Sequence, residues 1–199
     1  MLLPVVTRSE AAAVTRQSLL EAADALLDTG GPDAVTLREV GARAGVSRSA
    51  PYRHFTNKDT LLTALATKAM TQLGDRLECI AAGDALPEQS LRAALLSLVA
   101  IGRTRPHVYR LMFTTPAGDP TAAAQAAERT QDLFLDFVAR IVGPRQARHY
   151  GALLLTIAHG AASFEGSGHF IWDKWQTNPE QLIETMIGLL PTEKYFPSS

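Results

Sequence analysis

Cysteine is almost missing: Cys79 is the single one in 199 residues. No internal disulfide can form, and a reducing compartment fits. No apolar run approaches the ~18 residues that a membrane span needs. The opening MLLPVVTRSE is too short and too soon interrupted for a signal peptide. A cytoplasmic protein without a membrane partner is therefore expected. Charge of one sign is also lacking, since 19 Lys and Arg face 20 Asp and Glu for a net charge of -1. Any contact with nucleic acid must then come from a local patch. Strand-like alternation is nearly absent. There is no glycine-rich phosphate loop, no C-x-x-C and no Ser/His/Asp spacing signal. His159 and His169 stand ten residues apart without a third ligand. These absences exclude an enzyme, a metal site and a cofactor from the expected functions.

What is present is helical periodicity along most of the chain. Hydrophobic residues at 46% and charged residues at 20% suit a soluble globular fold with a sizeable core. The spacing predicts a first helix over about 9–29, with Leu19, Ala22, Ala23 and Leu26 inward and Gly30-Gly31-Pro32 as the stop. Its start has two candidate caps, Thr7 with Glu10 or Thr15. Thr36 and Glu39 have the form of a capping box for a second helix, with Leu37, Val40 and Ala44 inward and Gly45 at the end. Ser47 is the expected cap of a short third helix to about His54. A fourth starts near Lys58 and ends before Gly83, with Leu62, Leu65, Ala69, Leu73 and Ile80 as its stripe. Further helices are expected over about 87–104, 106–113, 121–142, 145–164 and 179–190. TTPAGDP (114–120) and EGSGHFIWDKWQTN (165–178) read as loops.

Residues 36–54 thus give helix, glycine turn, helix. That is the layout of a helix-turn-helix, whose second helix enters the major groove of DNA. Between 36 and 58, Arg38, Arg43, Arg48, Arg53 and Lys58 face one acid, Glu39, for a local charge of +4. A patch of this kind is what phosphate contact requires. At about 100° per residue, Arg48, Ser49, Tyr52 and Arg53 share one face of the third helix, and Ala50 and Pro51 the other. A charged face over a small core has the same pattern without any DNA.

TLREVGARAGVSRSAPYRHFTNKDTLLTAL (36–65) resembles the DNA-binding domain of the tetracycline-repressor (TetR) family, and TRQSLLEAADALLDTGG resembles that family's first helix. Gly41 departs from the family's usual alanine, and Pro51 stands where leucine is common. The resemblance implies an all-α fold: a three-helix DNA-binding domain over 1–60, then a helical ligand-binding and dimerisation domain over 61–199. It implies phosphate contacts from Thr36, Tyr52, His54 and Lys58, with Arg53 a looser candidate. It gives Arg38 a phosphate contact with reach toward a base, and gives base reading to Arg48 and Ser49. Arginine can bond both acceptors of a guanine. Pro51 is expected to be a rigid packing residue, replaceable by leucine without loss of folding.

RTRPHVYRLMF (103–113) and LLLTIAHGAASFEGSG (153–168) resemble the C-terminal domain of the TetR subgroup named for its Trp, His and Gly. His159-Gly160 match the last two letters, and the tryptophan is missing. Small residues at Gly151, Ala152, Ala158, Gly160, Ala161 and Ala162, with Leu182, Ile183, Met186, Ile187 and Leu190, are implied to form a two-fold interface. Intramolecular core is the alternative. Met112, Phe113, Phe134, Phe137, Val138, Ile157 and Phe164 are candidates to line an effector pocket, with His107, Tyr109 and His159 as polar groups. Plain core accounts for the same pattern. The segment GSGHFIWDKW (166–175) could cover the pocket or brace a dimer. The expected function is a homodimeric transcriptional regulator, a repressor released from a near-palindromic DNA operator by a small hydrophobic effector. The alternative is a helical interaction module on the same scaffold without effector control.

Overall fold

The computed structural model describes residues 7–114, 118–170 and 172–191. Residues 115–117 of the first expected loop, and Ile171 with the Trp172 side chain of the second, lie outside the described residues. Among those described there are ten helices and no strand. The chain forms two compact units. One comprises Met1–Lys68 with His107–Ala123, and the other Ala69–Pro106 with Ala124–Ser199.

The first unit holds α1 (Arg8–Ala34), α2 (Leu37–Arg43), α3 (Ala50–His54), the start of α4 (Lys58–Ala81) and α6 (Pro106–Met112) from His107 on. Thr7 caps α1. Its hydroxyl accepts from the Glu10 N–H at 3.2 Å, and the Glu10 carboxylate accepts from the Thr7 N–H at 2.7 Å. Thr15 instead donates to the Ala11 carbonyl inside the helix. At Gly31 the backbone turns to φ 67°, ψ -171°, and the helix resumes for a final half-turn. The inward face of α1 is Leu19, Leu20, Ala22, Ala23 and Leu27; Leu26, expected there, is only half-buried.

Val35, Leu37, Val40, Ala50, Phe55, Leu61 and Leu65 are buried as well, and α1, α2 and α3 pack on one another. Burying each large aliphatic side chain is worth about 1.5–3 kcal/mol. The stripe of α4 departs from the expected one at its ends, by one position at the start and three at the finish. Leu61, Leu65, Ala69, Leu73 and Leu77 are buried, whereas Leu62 and Ile80 are half-buried. The buried residues' steps of four make a ridge that winds slowly around the helix, with Leu61 and Leu65 buried in the first unit and Ala69, Leu73 and Leu77 in the second.

The second unit contains the rest of α4, α5 (Pro87–Thr104), α7 (Pro120–Val142) from Ala124 on, α8 (Ala147–Gly166), a single turn α9 (Trp172–Trp175) and α10 (Pro179–Gly188). α5, α8 and α10 pack on one another. Arg103 of α5 ties their ends together. Its guanidinium makes two 2.8 Å bonds to the Glu165 carboxylate of α8 and one of 2.9 Å to Glu180 of α10. Gly74 on α4 is buried and lets α7 approach closely. There the Thr130 hydroxyl donates to the Ala126 and Met70 carbonyls, and Arg129 pairs with Asp75 and Glu78.

The small residues of α8 divide between inside and outside. Gly151, Ala158, Ala161 and Ala162 are buried within the subunit, as are Ile183, Ile187 and Leu190. A Cβ on Gly151 would lie 2.8 Å from Leu135 Cδ2. These seven are therefore core of this chain. Ala152 is exposed, and Gly160, Leu182 and Met186 are half-buried.

Candidate nucleic-acid interface

The helix-turn-helix is built by local rules. The Thr36 hydroxyl accepts from the Glu39 N–H at 3.1 Å and starts α2. Gly45, at φ 67°, ends it in the left-handed region that glycine adopts most easily. The Val46 N–H reaches back to the Gly41 carbonyl at 3.1 Å, and the Gly45 N–H to Ala42 at 3.2 Å. This pair of bonds is a Schellman motif.

α3 begins later than expected. Ser47 is not its cap. The Ala50 N–H bonds the Ser47 carbonyl at 3.0 Å in a turn, and the helix runs from Ala50 with Ser49 at the N-cap position. Pro51 is therefore the second helical residue. An N–H there has no intrahelical partner in any helix, so its absence costs nothing. The Pro51 carbonyl accepts from the Phe55 N–H at 2.9 Å and closes the helix.

Burial sorts the residues of α3 and its entry turn into two sets. Ala50, Pro51 and Phe55 are buried against the scaffold. Arg48, Ser49, Tyr52 and Arg53 are exposed, Tyr52 at 59% of its surface. An exposed tyrosine of that extent, beside two arginines, is a hydrogen-bonding surface with no internal role. His54 is half-buried at the end of the helix. Thr36 and Arg38 are exposed at the start of α2, and Arg43 at its end. Asn57 caps α4 through a 2.9 Å bond from the Thr60 N–H to its side-chain oxygen. Lys58 follows as the first residue of α4, with its ammonium 4.0 Å from the fully exposed Asp33. All eight expected DNA-contact residues lie in the first unit, on α2, α3 and the start of α4 or the turns that lead into them.

Sequence reasoning missed Arg16. It is exposed on α1, and its guanidinium lies over the Phe55 ring at 5.3 Å. This cation–π contact fixes a positive charge beside the end of α3. Nothing in the spacing of α1 signals it, because the partner ring comes from another helix.

Pro51 is buried, and a Cβ on Gly41 would lie 2.7 Å from its Cγ, so the proline ring is seated against the α2 backbone.

The effector candidates are spread over both units. Met112 (buried) and Phe113 (44% exposed) belong to the first, together with His107 and Tyr109. Burial pushes the Tyr109 hydroxyl up to about 12. Phe134, Phe137, Val138, Ile157, His159 and Phe164 belong to the second. Phe137 and Val138 are buried, Phe134, Ile157 and His159 half-buried. Phe164 is 52% exposed and packs near His169 and Phe170, with ring centroids 6.0 and 5.8 Å away. Among the described residues no group of three His, Cys, Asp or Glu is placed to hold a metal ion. No described helix is long and apolar enough to cross a membrane.

Two family models match. Residues 19–65 fit the model described as bacterial regulatory proteins, tetR family. Residues 91–190, half of the chain, fit the tetracyclin repressor-like C-terminal domain. The chain belongs to the TetR family. It is thus a DNA-binding regulator by fold and not an enzyme.

Solved structures agree on the TetR fold. A protein of unknown function from Rhodococcus sp. RHA1 is similar at TM-score 0.73 and 23% identity, over 87% of this chain and 92% of that one. A TetR-family transcriptional regulator from Streptomyces coelicolor matches at TM-score 0.60 and 24% identity, over 90% and 94%. Thermus thermophilus FadR, a TetR-family repressor solved in complex with lauroyl-CoA, matches at TM-score 0.59 and 20% identity, over 92% and 100%. No curated protein matches the sequence significantly.

Proposed function

We propose that this TetR-family chain is a repressor that binds a near-palindromic operator as a homodimer and leaves it when a small hydrophobic effector binds. The observation that carries the DNA reading is the exposed row Arg48, Ser49, Tyr52 and Arg53 above the buried Ala50, Pro51 and Phe55. In this reading Arg48 and Ser49 bond base edges, and Arg38 reaches toward one. Thr36, Tyr52, Arg53, His54 and Lys58 hold phosphates, and Arg16 adds a charge on the same unit. The DNA-binding domain spans 1–60, and the ligand-binding and dimerisation domain spans 61–199.

The dimer face in this reading is the outer side of α8 and α10. Ala152, Leu153, Thr156 and Gly160 supply one helix, and Leu182, Met186 and Leu189 the other. Leu153 is 39% and Leu189 70% exposed, which gives this face apolar surface to bury. A two-fold dimer asks for two half-sites related by the same symmetry. The apolar candidates Met112, Phe113, Phe134, Phe137, Ile157 and Phe164, with His159, support an acyl or otherwise hydrophobic effector. The lauroyl-CoA complex of Thermus thermophilus FadR supports the same class. The effector must bind the DNA-incompetent state more tightly, because equal affinity shifts nothing. The Trp-His-Gly subgroup and a cytoplasmic location belong to this proposal as well.

The test is salt-dependent binding to duplex DNA taken from upstream of the chain's own coding sequence. Tight, sequence-selective binding that steepens at low salt is expected. Absence of selectivity at low salt would leave an interaction module on a helix-turn-helix scaffold.

A further inference from the structure

α3 is too short to hold its own place. It has five residues and no side-chain cap bond at Ser49. Isolated helices below about 12 residues are marginal in water, so packing alone sets where α3 stands. Three buried side chains do this: Ala50, Pro51 and Phe55. Ala50 offers only a methyl group. Phe55 carries the Arg16 guanidinium over its ring. Toward α2, the Pro51 ring seats on Gly41, where a Cβ would lie 2.7 Å from its Cγ and 3.4 Å from its Cδ. The ring has no rotamers with which to yield.

We infer that Gly41 and Pro51 are positioning residues for operator recognition: their contact sets how far α3 stands from α2, and so how deeply Arg48, Ser49, Tyr52 and Arg53 reach. The inference rests on the DNA reading proposed above. Carbon atoms in ordinary contact are about 3.5–4.0 Å apart. A methyl group at position 41 therefore pushes α3 outward by about 1 Å. Base-edge hydrogen bonds weaken steeply over that distance. Thr36 and Lys58 sit at the starts of α2 and α4, which the push leaves in place. Tyr52, Arg53 and His54 move with α3, so affinity for any duplex falls too, but by less than base selectivity, because Thr36 and Lys58 keep their places. A purely structural defect would lower selected and random affinity by the same factor.

The experiment enriches a preferred site from a random duplex pool with the wild-type protein. It then measures affinity for that site and for random duplex in Gly41→Ala, Pro51→Ala and the double variant, with folding checked by circular dichroism. Gly41→Ala is expected to lower the ratio of selected to random affinity about tenfold or more, with random-duplex affinity falling by a smaller factor than that ratio. The double variant, in which the ring is gone, is expected to recover most of that ratio. An unchanged ratio in Gly41→Ala, or no recovery in the double variant, overturns the inference. Should Gly41→Ala not fold, Pro51→Ala alone decides: a ratio lowered by about fivefold supports the inference, and an unchanged ratio overturns it. A wild-type protein that enriches no sequence removes the DNA reading itself, a result distinct from any of these.

Discussion

The imidazole of His107 occupies the space where Gly31 would carry a side chain. His107 Cε1 lies 2.9 Å and Nδ1 3.2 Å from the position of a Cβ on Gly31. The same His107 Nδ1 is 2.8 Å from Arg110 Nη2. Arginine only donates, so Nδ1 accepts and the ring proton sits on Nε2. Gly31 is also at φ 67°, ψ -171°, a backbone region that other residues enter at about 1–3 kcal/mol. Gly31→Ala should therefore destabilise the protein by about 2 kcal/mol or more. Urea unfolding with wild-type and variant measures it. A midpoint that does not move would show that the junction relaxes freely.

Lys58 and Asp33 predict opposite effects on DNA binding. Asp33 is fully exposed 4.0 Å from the Lys58 ammonium, and it competes with phosphate for that charge. Asp33→Asn should raise affinity for any duplex by a few fold. Lys58→Ala should weaken all sequences alike and reduce the salt slope by about 1. Titrations over a salt series read both, and equal slopes for wild type and Lys58→Ala would rule out the phosphate role.

Arg48 and Tyr52 separate reading from folding. Arg48→Ala should cost about 1–3 kcal/mol at particular base pairs and little elsewhere. Tyr52→Ala should cripple DNA binding and leave the melting temperature within about 1–2 °C, since Tyr52 is 59% exposed. A large drop in thermal stability for Tyr52→Ala would mean that the ring packs instead.

Acid should loosen the ends of α5, α8 and α10. Burial pushes the Glu180 carboxyl up, but its own backbone N–H and the bond from Arg103 outweigh that and hold it below the usual carboxylate range. The folded protein then binds fewer protons at Glu180 than the unfolded chain does. Its contribution is complete above the unfolded value, about 4.3, and disappears as the pH falls through the lower folded value. Thermal melts from pH 7 to pH 3 should show this loss, and Arg103→Gln should flatten it. The Arg103 charge itself is held more firmly than usual by Glu165 and Glu180, so it plays no part in the titration.

Helix limits were legible because caps are local. Thr7 with Glu10, Thr36 and Gly45 act where the sequence puts them, although Ser47 does not cap α3. What escaped sequence reasoning is whatever depends on a distant partner. Ala158 and Ala161 look the same whether the neighbour is α5 or a second subunit, and burial within the chain decides for α5 and α10. Leu62 and Leu61 suit a helical stripe equally, and the direction of the core chooses Leu61. Gly41 and Pro51 each look like a small local loss. Only their contact shows one compensating for the other. The eight proposed DNA-contact residues come from a sequence resemblance confined to one short, continuous stretch. The apolar effector candidates have no such stretch, and they fall on several helices in two units.

Thr63 on α4 accepts a hydrogen bond from the Gly118 N–H at 3.1 Å, and both belong to the first unit. The unit that carries the helix-turn-helix is discontinuous along the chain. During synthesis it cannot close until the segment after α6 has left the ribosome, although α1 to α3 emerge long before. Its last contacts have high sequence separation and form late. A graft that transfers only the N-terminal residues to another protein carries the reading surface without the loop that finishes it.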